Sequence, residues 1–275
     1  MSKREINGYV LAPGVAAGTL CFVDVRGETV APEVPLSESE VRAEIAVFER
    51  EVRSAVEELR EAAAALEKAA FTEESEIIRT QVFMLEDQDF HRRVRSRIEL
   101  DRRPAVLALE TVVHEITQAL ERTQSAVFVE RKADVEDVMI RLRKKLNREE
   151  RTLLADSLDN NADPVAVAGE LLPSMILEAH ERGVRAFVVE KGTSLSHAAI
   201  LAKSFGIPVL RIEHFHNLGV PSGTPVIVDA LSGLLLLQPA DTDTEVMDRL
   251  APVRAAEIAG APLPFSLWLN IVDPL

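Results

Sequence analysis

The apolar residues of this chain keep two rhythms, and the change between them limits what the chain can fold into. From residue 36 to 147 they recur every three or four positions. Before and after that block they come in short runs bounded by Gly and Pro. A period near 3.6 belongs to helices with one buried face, and short bounded runs belong to strands. The pattern predicts an α/β unit made of residues 1–30 and 150–240, with a helical bundle, residues 36–147, inserted between its halves.

Inside the insertion the element ends are marked. Ser37-Glu-Ser-Glu40 has the spacing of a capping box. It opens a long helix with Val41, Ile45, Phe48, Val52, Val56, Leu59 and Leu66 on one face and an alanine-rich end at Glu61–Ala70. A second helix holds Ile77, Ile78, Val82, Met84 and Leu85 and breaks at Glu86-Asp-Gln-Asp89; a third holds Phe90, Val94 and Ile98. Pro104 starts a fourth, with Val106, Leu109, Val113, Ile116 and Leu120 aligned. A last helix, about 127–146, aligns Val135, Val138, Met139, Leu142 and Leu146. Short connections make these an antiparallel bundle.

In the flanking halves, residues 6–25 read as a hairpin-like pair of β-prone runs around Pro13-Gly14. Strands are expected at 164–169, 186–189, 209–212, 225–229 and 234–237, with a helix from Pro173 to about Arg182. Strands alternating with helices imply a sheet with some parallel pairing. Residues 241–264 read as a linker containing a helix from Thr242 to about Ala259, and Phe265–Val272 as one more strand.

The stretch from Lys191 to Leu210 carries the chemistry. A buried strand, Ala186–Val189, leads into a small polar loop, Gly192–Ser196, and then a helix, Ala198–Phe205, stopped by Gly206 and Pro208. His197 thus falls where a loop becomes a helix, above the C-terminal end of a strand. Unpaired N–H groups and the helix dipole favour an anion there and disfavour an imidazolium, so the ring suits a phosphoryl carrier. A second reading stands beside it, in which Ser196 is only a helix cap.

Ser196, His197, Ala199, Ile200, Ala202, Gly206, Ile207 and Pro208 fit a pattern, Gly-Gly-Arg/Met-Thr-Ser-His-x-Ala-Ile-x-Ala-Arg-x-x-Gly-Ile-Pro, with Lys203 at its Arg. The segment resembles the phosphohistidine motif of the phosphoenolpyruvate-utilising enzymes. Thr193, Ser194 and Leu195 depart from it. Ala12-Pro-Gly-Val-Ala-Ala-Gly18, Phe83-Met-Leu-Glu-Asp87 and Glu130–Leu142 are similar to segments of enzyme I of the sugar phosphotransferase system.

The resemblance covers nearly the whole chain and implies the N-terminal part of such an enzyme: an α/β swivelling phosphohistidine domain with an inserted antiparallel α-helical bundle. It implies His197 as nucleophile, Gly192, Thr193, Ser194, Ser196 and Lys203 around the phosphate, and Ser174 orienting the ring. Leu172 stands where the family segment near Ser174 has Thr. The insertion would dock HPr, a small histidine-phosphorylated carrier with a basic face, with Glu86, Asp87 and Asp89 contributing. Gln81 takes the place of a common His, with an expected effect on partner recognition. Residues 265–275 would begin a C-terminal phosphoenolpyruvate-binding barrel absent from this chain. Mg²⁺ is expected only with that barrel, and no cofactor or metal within the chain.

Composition narrows the partners. With a net charge of −14 and no basic stripe, nucleic acid is not an expected ligand, and a basic protein is a suitable one. The lone Cys21 excludes an internal disulfide. The N-terminus has no apolar signal core and no run reaches membrane-spanning length, so no membrane association is expected and the cytoplasm is the expected location. His214 and His216 beside Glu213 lack further ligands and read as a surface loop rather than a metal site. Three functions stay in view: a phosphohistidine phosphotransferase, a non-catalytic regulatory or carrier-binding module with a degenerate loop, and the swivelling domain of a dikinase or phosphoenolpyruvate synthase. The helical insertion counts against the third.

Overall fold

A computed structural model of the chain describes residues 4–23, 35–122, 126–147, 154 and 163–239. The expected linker helix and the final strand lie outside the described residues. The described residues divide between two compact units, 4–23 with 154 and 163–239 in one, and 35–147 in the other.

The helical unit contains α1 (Glu38–Lys68), α2 (Thr72–Glu86), α3 (Gln88–Asp101), α4 (Ala105–Arg122) and α5 (Ala126–Leu146). The expected capping box is formed: the Ser37 side chain accepts from the Glu40 N–H, and Glu40 accepts from the Ser37 N–H at 2.7 Å. Helices α1 and α2 run antiparallel, since Glu67 late in α1 meets Arg79 while the earlier Arg60 meets Glu86 at the end of α2. These pairs are exposed and add little stability. The apolar faces supply the cohesion. Phe48, Leu59, Leu66, Ile78, Leu85, Ile98, Leu109 and Leu142 are fully buried, each worth roughly 1.5–3 kcal/mol by transfer from water.

In the fourth helix the buried stripe is Val106, Leu109 and Val112; Val113, Ile116 and Leu120 are half-buried. Gln81 is buried and donates from Nε2 to Asp137 Oδ2 at 2.8 Å, linking α2 to α5. Its side chain therefore acts inside the bundle.

The other unit is built on β1 (Arg4–Asn7), β2 (Tyr9–Ala12), β3 (Val15–Phe22), β4 (Pro164–Ala168), β5 (Ala186–Val189), β6 (Val209–Arg211), β7 (Pro225–Asp229) and β8 (Leu234–Leu237). Helix α6 (Pro173–Arg182) lies between β4 and β5 in sequence, and α7 (His197–Ser204) between β5 and β6. The strand order is β1-β8-β7-β3-β4-β5-β6-β2. Strands β3, β4, β5 and β6 pair parallel, and the remaining pairings are antiparallel. Strands β3 and β4 are direct neighbours, Thr19–Phe22 against Pro164–Val167, although the helical unit separates them in sequence. Strands β4 and β5 are buried throughout, as befits central parallel strands.

The hairpin expected around Pro13-Gly14 does not form. Strand β2 pairs with β6, whereas β3 pairs with β7 and β4. Pro13 and Gly14 separate the two strands, but long-range pairing chose their partners. One residue, Gly8, joins β1 and β2, which stand at opposite ends of the strand order, so the two edges of the sheet lie side by side. A Cβ on Gly8 would sit 2.8 Å from Ile212 Cγ1 and 2.9 Å from the Arg211 carbonyl oxygen, and its N–H donates to Gly233 O. Glycine is required at that crossing.

Candidate active site

Strand β5 ends at Val189, and the chain turns through Glu190 and Lys191 into the Gly192–Ser196 loop. Gly192 has φ +119°, a conformation that side chains rarely tolerate, and it lies against Leu11. Three successive carbonyls of the loop are held. Arg211 Nη1 donates to Gly192 O at 3.0 Å, Ser196 Oγ donates to Thr193 O at 3.0 Å, and Lys203 Nζ donates to Ser194 O. The Ser196 N–H also reaches Thr193 O, at 3.3 Å.

Ser196 caps α7 in extended geometry, and its Oγ accepts from the Ala199 N–H at 3.3 Å. His197 is the first residue of α7 and is half-buried. The following residues, Ala198, Ala199, Leu201 and Ala202, are buried and seat the helix. At the far end Gly206 takes φ +67°, and Ile207 N–H bonds back to Ala202 O, as the Gly206-Ile207-Pro208 sequence requires of a helix stop. The helix is short, so its cap and its packing carry its stability rather than its length.

The structure thus brings Gly192, Thr193, Ser194, Ser196, His197 and Lys203 into one loop-and-helix assembly. Ser174 lies in the first turn of α6, which packs against α7. Leu172, the N-cap of α6, makes no side-chain capping bond. Glu86, Asp87 and Asp89 belong to the helical unit, and all three are exposed. Each carboxylate has a neighbour: Glu86 pairs with Arg60 at 2.7 Å, Asp89 pairs with Arg92, and Asp87 Oδ1 accepts from Phe90 N–H at 2.8 Å as the N-cap of α3.

Several participants escaped the sequence reading. Arg211 ends β6 and pairs in register with Tyr9; its guanidinium carbon lies 4.5 Å from the Tyr9 ring centre. A single Arg after an apolar strand gives no local sign of such a role. Glu190 accepts from His216 Nδ1 at 2.8 Å and from the His216 N–H at 2.9 Å. Burial alone would raise the Glu190 pKa, but the two His216 bonds and the nearby His214 outweigh it and hold the carboxyl below its ordinary value. His216 is accordingly a hydrogen-bond partner of Glu190 at the base of the loop, and among the described residues no group of three or more His, Cys, Asp or Glu could hold a metal ion.

Residues 7–131 match the family described as PEP-utilising enzyme, N-terminal, and residues 161–233 match PEP-utilising enzyme, mobile domain. The chain belongs to the phosphoenolpyruvate-utilising enzymes. Among its curated relatives is the phosphoenolpyruvate-protein phosphotransferase of Borreliella burgdorferi, 23% identical over 88% of this chain and 42% of that protein. Another is the protein of that name from Bacillus sp. (strain S), 28% identical over 86% of this chain and 40% of its relative. The chain spans about two fifths of the length of these relatives. A solution structure of an Enzyme I protein aligns with a TM-score of 0.62 at 24% identity, over 92% of this chain and 99% of that one. The N-terminal domain of Enzyme 1 – Nitrogen aligns at 0.54 and 23%, over 90% and 99%. The fold is therefore that of an N-terminal phosphoenolpyruvate-utilising unit. Within that family pattern, Leu195 is the most visible departure, because it is 72% exposed two residues before the motif histidine.

Proposed function

We propose that this chain is the phosphoryl-carrying part of a phosphoenolpyruvate-protein phosphotransferase, holding phosphate on His197 and exchanging it with an HPr-like carrier. The observation that carries this reading is the placement of His197 at the capped start of α7, beside a loop whose carbonyls are tied down by Arg211, Ser196 and Lys203. A ring nitrogen of His197 attacks phosphorus in line; the new N–P bond forms as the bond from phosphorus to the donor breaks, and the donor leaves with that electron pair. Pinned carbonyls orient the peptide planes of the loop, which favours a fixed set of N–H groups for the phosphoryl oxygens. Lys203 adds a cation at the loop, and Ser174 is assigned to orienting the ring. Mg²⁺ would act with a phosphoenolpyruvate-binding barrel.

The helical unit is assigned to carrier docking. Glu86 and Asp89 offer exposed carboxylates now paired with Arg60 and Arg92, and a basic carrier would compete for them. A second reading, a carrier-binding module without transfer, draws on the exposed Leu195 and the altered Thr193-Ser194-Leu195 loop. Incubation with a phosphorylated HPr-type carrier separates the two. Transfer predicts acid-labile label on the wild-type chain and none on His197→Ala. Binding without label supports the module. The variant Glu86→Lys with Asp89→Lys, which spares the Asp87 cap, should slow association and flatten its salt dependence.

A further inference from the structure

Two cations reach the backbone of the Gly192–Ser196 loop, and they come from different elements. Lys203 belongs to α7 itself and moves with it. Arg211 belongs to β6, a strand paired on both sides, with Val189 opposite it in β5 and Tyr9 opposite it in β2. The loop sequence Gly192-Thr-Ser-Leu-Ser196 carries no charge of its own. We propose that Arg211 is the positioning residue of the phosphohistidine loop, clamped by Tyr9 and holding Gly192 for phosphoryl transfer at His197. This rests on the reading of His197 as the phosphoryl carrier.

The geometry supports a clamp rather than a passing contact. The guanidinium lies on the Tyr9 ring, donates from Nη1 to Gly192 O at 3.0 Å, and has Glu213 Oε1 at 3.6 Å from Nη2. A planar fork stacked on a ring is oriented as a flexible ammonium is not. Its acceptor belongs to Gly192, the loop residue at φ +119°, where the chain has the most conformational freedom to lose. The Glu213 contact is long and exposed, so the guanidinium keeps most of its charge toward the loop. Its Nε is buried without a hydrogen-bond partner.

The test uses the full chain and phosphoramidate as the phosphoryl donor, with amide hydrogen exchange of Gly192–Leu195 as a second measurement that needs no phosphate. Arg211→Met keeps the apolar stem and removes the fork. It should lower the maximal rate of His197 labelling by on the order of ten-fold or more, as loss of a charged hydrogen bond does, with little change in half-saturation by the donor. Loop amides should exchange faster. Arg211→Lys should restore only part of the rate, because it returns the charge without the stacked fork. Tyr9 is exposed, so Tyr9→Ala should fold normally and slow labelling less than Arg211→Met. In the double variant the Tyr9 change should add nothing further. Wild-type labelling rate and unchanged loop exchange in Arg211→Met would overturn the proposal, as would full additivity of the two changes. If the wild-type chain takes no label while Arg211→Met still loosens the loop, the carrier reading of His197 fails and the tie to Gly192 survives only as a structural one.

Discussion

Replacing Ser196 by Ala tests how the start of α7 is held. The hydroxyl makes two bonds, accepting from Ala199 N–H at 3.3 Å and donating to Thr193 O at 3.0 Å. Loss of an N-cap costs about 0.5–2 kcal/mol, and the long Ala199 contact places this one near the middle or below. Thr193 is exposed, so water replaces the hydroxyl at its carbonyl, and the Ser196 N–H remains there. The expected net loss is about 1 kcal/mol, which raises the open fraction of the helix about five-fold. Amide exchange across Ala199–Lys203 should speed up by that factor. Ser196→Asp should restore protection, since a carboxylate caps well and suits the helix dipole. The same Asp should slow phosphate labelling of His197, because it sets a negative charge beside the incoming phosphoryl group. Unchanged exchange in Ser196→Ala would refute the capping role, and labelling of Ser196→Asp at the wild-type rate would refute the placement of phosphate at the helix start.

Gly8→Ala should destabilise the sheet unit by about 1–3 kcal/mol, since its Cβ would press on the Arg211 carbonyl oxygen and Ile212; an unchanged urea midpoint would contradict the crossing described for β1 and β2. Glu181 is raised from the ordinary carboxyl value of 4.5 to about 7 by burial first and by Glu178 second, with Arg182 pulling the other way. The folded chain therefore holds this proton more tightly than the unfolded chain. The stability it contributes is full below pH 4.5 and is lost as pH rises through 7. Glu181→Gln should remove that decline, seen by comparing urea midpoints at about pH 5 and 8 in wild type and variant; equal declines would contradict it.

What the sequence disclosed was what short-range physics decides. The Ser37 capping box, the Ser196 cap, the Gly206 stop and the bounds of β5 were legible because each depends on residues within a turn of one another. The pairing of β2 and β3 was not, because the choice between a hairpin and the actual partners β6 and β7 is made across the whole sheet. Arg211 was invisible for the same reason: its target, Gly192, lies on another element. Asp87 was read for its charge and is also a cap. Gln81 stands at the place of a family His, and its bond to the buried Asp137 gives no local sign in the sequence. In each case the residue type was informative, but the direction of its side chain was set by tertiary packing.

The central claim is that one ring among the chain's six histidines carries phosphate. Fragmentation mass spectrometry of the chain after exchange with a phosphorylated HPr-type carrier, kept at alkaline pH to preserve the N–P bond, locates the group directly. The account predicts phosphate on His197 and on none of His91, His114, His180, His214 or His216. Phosphate on one of those five, or a carrier that binds and leaves the chain unmodified, would contradict it.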